Sequence, residues 1–150
     1  MFLCDGNIWL ALCLAGHAHH AVARDWLEGT EEGGSVVFCR ATQQTLLRLL
    51  TNAAVFAPYG LPPRTNAEAW EAYDALVADD RITLRTDEPA GLQPTWRDYA
   101  VRDSASPKLW MDAYLAAFAQ RAGFQLVTTD RGFRQFRGLD LLLLTSSTDV

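Results

Sequence analysis

The chain has 150 residues, of which 49% are hydrophobic and 21% charged, so we expect one folded domain over residues 1–150. This composition excludes a disordered chain, a collagen-like fibre and a miniprotein held together by disulfides. The net charge of −5 argues against a general coat for DNA or membranes, but it permits a local acidic site that handles nucleic acid through metal ions.

Strand-like and helix-like segments alternate in the first half of the chain. Short apolar runs predict buried strands, and apolar residues at helical spacing predict helices between them. The predicted elements are a strand over 2–5, helices over 7–15 and 17–28, a loop over 31–35, a strand over 36–39 and a helix over 41–52.

Two helix-start signals organise the second half. Thr65 and Glu68 have the spacing of a capping box, which opens a helix to about residue 79. Ser106 followed by proline predicts another helix start, and Gly123 suits its end. The remaining elements are strands over 81–85, 125–128 and 141–144, a short helix over 131–137, and a short helix over 96–101 within the otherwise unassigned stretch 88–106.

The alternation of strands and helices predicts the fold class. Right-handed crossovers between successive strands give a parallel sheet with helices on both faces. We therefore predict an α/β protein, a three-layer α/β/α sandwich around a central parallel sheet of four to five strands.

The cysteines and the N-terminus bear on compartment. Cys4, Cys13 and Cys39 lie in apolar stretches without Cys-x-x-Cys spacing, so we expect core thiols rather than zinc ligands. No apolar run approaches the roughly 20 residues that span a bilayer, and the N-terminus lacks the basic start of a signal peptide. We therefore expect a cytoplasmic protein without a membrane partner.

Three aspartates occupy positions that are costly for a charge. Asp112 is the one charged residue in the apolar stretch 109–119, about a turn and a half into its predicted helix. A helix that is apolar nearly all round is buried, and a buried carboxylate must be paired, protonated or bound to a cation. Asp5 directly follows the strand-like run MFLC and Asp130 directly follows QLVTT, at strand ends where a parallel sheet places its ligand-binding crevice.

Convergence of these three carboxylates would favour a bound cation, because they would otherwise repel one another. An all-oxygen ligand set favours Mg²⁺ or Mn²⁺ over zinc. The structural alternatives are that Asp5 and Asp130 cap helices or turns and that an arginine holds Asp112.

Three segments in their order along the chain resemble the PIN-domain ribonucleases, and within them the VapC-type toxins of bacterial toxin–antitoxin pairs. They are FLCDGNIWLAL at 2–12, MDAYLAAFAQRAG at 111–123 and LVTTDRGF at 126–133. Other segments, such as TLLRLLTN at 45–52, are similar to the mycobacterial branch of these toxins. The resemblance covers nearly the whole chain.

The resemblance implies a cytoplasmic Mg²⁺- or Mn²⁺-dependent endoribonuclease that hydrolyses RNA phosphodiesters. Asp5 and Asp112 would be metal ligands, and Asp130 would bind a second ion or orient the attacking water. Asn7, Gln43 and Thr128 would support the carboxylates. The implied partners are the RNA substrate, a cognate antitoxin protein and a second copy of the chain in a homodimer.

Because the chain is acidic overall, RNA must be held by local arginines. Arg131 and Arg134, together with Arg137, lie beside Asp130 and are the preferred candidates. We expect the five tryptophans in the core or at an interface rather than as base-stacking platforms, and exposed ones, with Trp96 and Trp110 as candidates, would contribute to a dimer or an antitoxin groove.

Gln43 stands where many members of the family have a glutamate, so the site would have three carboxylates rather than four. This departure motivates an alternative function, a catalytically weak PIN-like module that binds RNA or protein. A third interpretation, a response-regulator-like domain, needs a catalytic lysine near the aspartates, and the one lysine, Lys108, lies at a predicted helix start.

Overall fold

The computed structural model describes residues 1–146, so residues 147–150 of the predicted domain lie outside the described part. The strands are β1 (Phe2–Cys4), β2 (Val36–Cys39), β3 (Ile82–Arg85), β4 (Gln125–Thr128) and β5 (Leu141–Leu143). The α-helices are α1 (Gly6–Cys13), α2 (His20–Glu28), α3 (Arg40–Leu50), α4 (Ala53–Phe56), α5 (Asn66–Val77), α6 (Leu92–Ala100) and α7 (Leu109–Ala122). Two 3₁₀ helices cover Ala57–Tyr59 and Arg131–Gln135.

The strands form a parallel sheet in the order β3-β2-β1-β4-β5. The chain moves outward from the central strand β1 to β2 and β3, and then returns to β4 and β5 on the other side. The strand order therefore reverses between β1 and β4. In parallel α/β sheets, such a reversal opens a crevice at the carboxyl ends of the two strands.

Two apolar cores cover the two faces of the sheet and confirm the predicted α/β/α sandwich. On one face, helices α1, α2, α3 and α5 enclose the ring stack of Trp9 on Phe38, whose centroids lie 3.6 Å apart. On the other face, α6 and α7 pack Leu115 and Phe118 against Phe133 of the second 3₁₀ helix. Within residues 1–146, no helix combines the length and the apolar character needed to cross a membrane.

Three predicted helices start more than one residue away from the observed start, and the structure adds α4 and the first 3₁₀ helix, which the sequence did not predict. Helix α7 starts at Leu109 rather than Pro107, because the Leu109 amide closes a turn onto the Ser106 carbonyl at 3.1 Å. Helix α2 starts at His20 rather than at residue 17, because the His20 amide likewise closes a turn onto the His17 carbonyl at 3.0 Å.

Helix α6 is longer than the predicted 96–101 and spans residues 92–100. It begins after Gly91, which has a φ of +77° and lies under the Arg121 side chain of α7. A Cβ at Gly91 would lie 2.6 Å from Arg121 Nη2, so both the backbone angle and the packing favour glycine there. The cysteines are free thiols as predicted, with Cys4 and Cys39 buried and Cys13 half-buried.

Gly6 sets the approach of α1 to α3 directly beside the crevice. A Cβ at Gly6 would lie 2.5 Å from Cγ2 of Thr45, a branched side chain whose hydroxyl is fixed by a hydrogen bond of 2.9 Å to the Ala41 carbonyl. The missing side chain therefore lets the first turn of α1, which follows Asp5, pack against α3.

Gly6→Ala is predicted to lower the free energy of unfolding by about 1–3 kcal/mol, because the added methyl group overpacks the α1–α3 contact. Adding Thr45→Ser should recover most of this loss, because serine keeps the hydroxyl and removes Cγ2. Urea unfolding of the two variants and of Thr45→Ser alone measures both effects. An unchanged stability in Gly6→Ala would contradict this account of the contact.

Candidate active site

The crevice between β1 and β4 brings two of the predicted aspartates together. Asp5 follows β1 directly, and Asp130 follows β4 after one intervening residue. The two strands are paired in parallel, with Cys4 opposite Val127, and the Asp5 amide donates to the Val127 carbonyl at 2.9 Å. Both residues therefore lie at the carboxyl edge of the sheet, as the sequence predicted.

Asp5 is nearly buried, with 9% of its surface exposed, and both of its carboxylate oxygens accept hydrogen bonds. Oδ1 accepts the Gly6 amide at 2.6 Å, so Asp5 caps α1, and Oδ2 accepts the Thr128 hydroxyl at 2.9 Å. Burial raises the pKa of Asp5, the two hydrogen bonds lower it, and the nearby charge of Asp130 raises it. Asp5 therefore both caps a helix and lies at the carboxyl edge of the sheet. This edge, with Asp5, Asp112 and Asp130, is called the acidic edge below.

Thr128 links the two strand ends through one hydroxyl group. The side chain is fully buried, and Oγ1 donates to Asp5 while accepting the Asp130 amide at 3.0 Å. Asp130 in turn accepts the Gly132 amide on Oδ1 at 2.7 Å and caps the second 3₁₀ helix. Its Oδ2 makes no described hydrogen bond and lies at an exposed position. Thr128 therefore fixes the carboxylate of one aspartate and the backbone of the other.

Asp112 lies in the first turn of α7, not the turn and a half predicted, because the helix starts two residues later. Within residues 1–146 its half-buried carboxylate has no described hydrogen bond or ion pair, so no arginine holds it. Burial, and after it the charges of Asp5 and Asp130, raise its pKa to about 6. The three carboxylates therefore lie within each other's electrostatic field.

The supporting residues predicted beside Thr128 lie differently. Asn7 is exposed in the first turn of α1 and has no described side-chain hydrogen bond. Gln43 is buried, but its Oε1 accepts a hydrogen bond from the Arg40 guanidinium at 2.5 Å, and its side chain lies next to Tyr73 of α5. Of the three predicted supports, Thr128 is the one with a described contact to an aspartate.

Arg131 and Arg134 lie exposed on the 3₁₀ helix capped by Asp130, and neither forms a described ion pair. Sequence reasoning missed two further cations at the site. Arg102 and Lys108 line a cleft of about 430 Å³ together with Asp112. Arg102 falls in the stretch whose structure the sequence left open, whereas Lys108 carried the available signal as the one lysine, four residues before Asp112.

The acidic edge is not a closed metal cage. Within residues 1–146, no three His, Cys, Asp or Glu side chains cluster closely enough to hold one ion. Hydrogen bonds explain in part why the carboxylates do not converge on one point. They direct one oxygen of Asp5 toward the Gly6 amide and one oxygen of Asp130 toward the Gly132 amide.

Comparisons with known proteins agree with this architecture. The family model described as PIN domain matches residues 2–139. The ribonuclease VapC41 of Mycobacterium tuberculosis is 60% identical over 144 residues, covering 96% of this chain and 99% of the relative.

Solved structures show the same fold. M. tuberculosis VapC20, described as a sarcin-ricin loop cleaving toxin, has a TM-score of 0.65 at 18% identity and covers 93% of this chain and 98% of its own. VapBC-1 from nontypeable Haemophilus influenzae has a TM-score of 0.66 at 14% identity and covers 97% and 98%.

The raised pKa of Asp112 predicts a pH dependence of stability. The native state retains the Asp112 proton at pH values where the unfolded chain, with an aspartate pKa near 3.8, has lost it. Stability is therefore lost as the pH rises from about 4 to about 6. Relative to Asp112→Asn, the wild type should lose about 1 kcal/mol over this window, a value reduced because solvent screens the half-exposed side chain.

Urea unfolding of both proteins at pH 4 and pH 7, in EDTA, measures this difference. Asp74→Asn on α5, an exposed aspartate on the other face of the sheet, serves as the matched control. If the stability difference between wild type and Asp112→Asn were the same at both pH values, the pKa of Asp112 would not be raised in the folded state.

Proposed function

The chain belongs to the PIN-domain family and to its VapC branch, and from this membership we propose that it is the endoribonuclease toxin of a toxin–antitoxin pair. Curated relatives across nearly the full chain are named ribonucleases. The observation in this chain that supports the proposal most is the acidic edge between β1 and β4. There, the charge of Asp130 raises the pKa of Asp5, the charges of Asp5 and Asp130 raise the pKa of Asp112, and no described ion pair holds any of the three carboxylates.

The donor set of this edge fits Mg²⁺ or Mn²⁺. Mg²⁺ prefers oxygen ligands and binds proteins through one or two carboxylates, keeping waters or substrate phosphates in its other positions, so it needs no cage of three protein ligands. Asp112, whose carboxylate has no described partner, supplies such a ligand, and Asp5 supplies the second. When bound, the cation would polarise a phosphate oxygen and lower the pKa of a water.

The chain's own residues would position this chemistry. The Gly6 amide and the Thr128 hydroxyl fix the rotamer of Asp5, so its oxygens need no reorganisation when the substrate arrives. Asp130 is exposed and uses only Oδ1 in a described hydrogen bond, so Oδ2 would accept a hydrogen bond from the attacking water or hold a second cation. Arg131 and Arg134 would contact RNA phosphates.

We also propose a cognate antitoxin and a second copy of the chain as protein partners in the cytoplasm. Several structural neighbours were solved as VapBC assemblies, which supports the antitoxin. A basic antitoxin tail would fit the acidic crevice by charge.

Gln43 favours a second candidate function, a PIN-like module that binds RNA or protein with little cleavage. Its neutral amide replaces a negative charge of the family, and its described partners are Arg40 and Tyr73 rather than an aspartate. The nuclease remains the favoured function, because the three aspartates of the edge are present.

Asp5→Asn and Asp112→Asn are each predicted to reduce RNA cleavage to background while the fold is retained. Asparagine caps a helix about as well as aspartate, so Asp5→Asn keeps the bond to Gly6 but loses the charge. Thr128→Val should reduce the rate by about 10–100-fold, because it releases Asp5 from its fixed orientation. Gel analysis of a structured RNA measures these rates, with Asp74→Asn as control. Full activity in both asparagine variants would reject the assignment.

Metal removal distinguishes the two candidate functions. After dialysis against EDTA the protein should no longer cleave RNA, and titration with Mg²⁺ or Mn²⁺ should restore cleavage. RNA binding without cleavage at every metal concentration would support the binding module instead. Cleavage in EDTA would contradict the metal dependence.

A further inference from the structure

The cleft beside Asp112 holds two cations that the proposed chemistry has not used. Arg102 and Lys108 line it together with Asp112 and Gln135, in a volume of about 430 Å³. Neither cation forms an ion pair among residues 1–146, and Lys108 lies one helical turn before Asp112 without approaching within the 4.0 Å of a salt bridge. The cleft therefore carries positive charge that the neighbouring carboxylate leaves unneutralised.

Arg102 is held in place by neutral acceptors. Its Nη1 donates to the carbonyls of Val101 at 2.7 Å and Tyr99 at 3.3 Å, and its Nη2 donates to Gln135 Oε1 at 3.1 Å. These bonds tie the guanidinium between the end of α6 and the second 3₁₀ helix. They use only part of its five N–H donors, so an oriented cation with free donors faces solvent at the cleft.

Lys108 occupies a position that helix stability does not explain. It precedes the first residue of α7, where a cation opposes the helix dipole, and α7 has no side-chain cap for its first amides. Lys108 therefore places a positive charge without a described ion pair at this end of α7, one helical turn from Asp112. This end of α7 can therefore bind an anionic group of a flexible polymer.

An aromatic groove adjoins the cleft. Trp96 and Trp110 line a depression of about 390 Å³ that also includes Val101, next to Arg102 in the chain. Trp110 is 58% exposed, and its position is fixed because Trp96 Nε1 donates to its carbonyl at 3.0 Å and the two rings meet edge to face. A large exposed ring on a fixed backbone offers a stacking surface to an unpaired base.

We propose that single-stranded RNA reaches the acidic edge along this path, an inference that rests on the proposed nuclease function. Arg102 and Lys108 bind phosphates next to the scissile bond at Asp112, and Trp110 stacks an unpaired base beyond them. Phosphate-binding cations beside an aromatic platform are the combination with which proteins hold single strands. The path makes an unpaired nucleotide near the cleaved bond a requirement for the substrate.

The test measures binding of a fluorescent single-stranded oligoribonucleotide by anisotropy in the Asp5→Asn background, which prevents cleavage. Lys108→Ala and Arg102→Ala should each weaken binding and lower the slope of log affinity against log salt by about 0.7 per lost phosphate contact. Trp110→Ala should weaken binding about 5- to 100-fold with an unchanged salt slope, because stacking involves no counterion release.

Matched controls use the same residue types elsewhere. Trp70→Ala removes a tryptophan that is 50% exposed on α5, and Arg24→Ala removes an arginine already paired with Glu28 on α2. Both lie on the other face of the sheet and should leave affinity and salt slope unchanged. Lys108 makes no described side-chain contact, so Lys108→Ala is interpretable even if Arg102→Ala, which releases α6, lowers the melting temperature.

The outcomes separate this inference from the proposed function. If the unsubstituted protein cleaves RNA but Lys108→Ala and Trp110→Ala bind it with wild-type affinity and salt slope, the path is wrong and the nuclease stands. If Trp110→Ala loses only its inhibition by the antitoxin, the groove binds protein and its RNA role is overturned. If the unsubstituted protein neither binds nor cleaves RNA, both proposals fail.

Discussion

The parallel pairing of β1 with β4 is the constraint on which the acidic edge depends. It places Asp5 and Asp130 at neighbouring strand ends, where like charges repel one another. Hydrogen bonds from Gly6, Thr128 and Gly132 offset part of that repulsion, and each is made possible by the local backbone. Asp112 receives no such bond, and its burial, followed by the charges of Asp5 and Asp130, raises its pKa to about 6. The fold thus tolerates an electrostatic strain concentrated on one carboxylate.

Much of this arrangement could be predicted from the sequence, because strand ends and helix caps are local features. Apolar runs ending in Asp5 and Asp130 indicate the edge once the sheet is parallel, and the single charge at Asp112 indicates that its helix faces the same crevice. The capping residues Ser106 and Pro107 predict a start of α7 two residues before the observed one, because the chain uses them in a turn instead.

Residues that act through distant partners could not be predicted in the same way. Gln43 is placed next to Arg40 by helical spacing, but its second contact, Tyr73, is 30 positions further along the chain. Arg102 likewise reaches Gln135 on an element 33 positions away. Neither contact has a sequence period or a motif, because each is set by how whole elements pack against one another.

The fate of Gln43 also bears on the missing fourth carboxylate. A glutamate in this buried position would meet the Arg40 guanidinium and form a partly desolvated ion pair, whose Coulomb gain is largely offset by desolvation. The negative charge of this glutamate would then neutralise Arg40 and would not add to the charge of the acidic edge. The neutral amide satisfies the same arginine without bringing another negative charge toward three aspartates that already repel one another. In this packing, Gln43 leaves the three aspartates as the carboxylates of the acidic edge, and the cations proposed to bind RNA beside it, Arg102 and Lys108, lie on the side of α6 and α7.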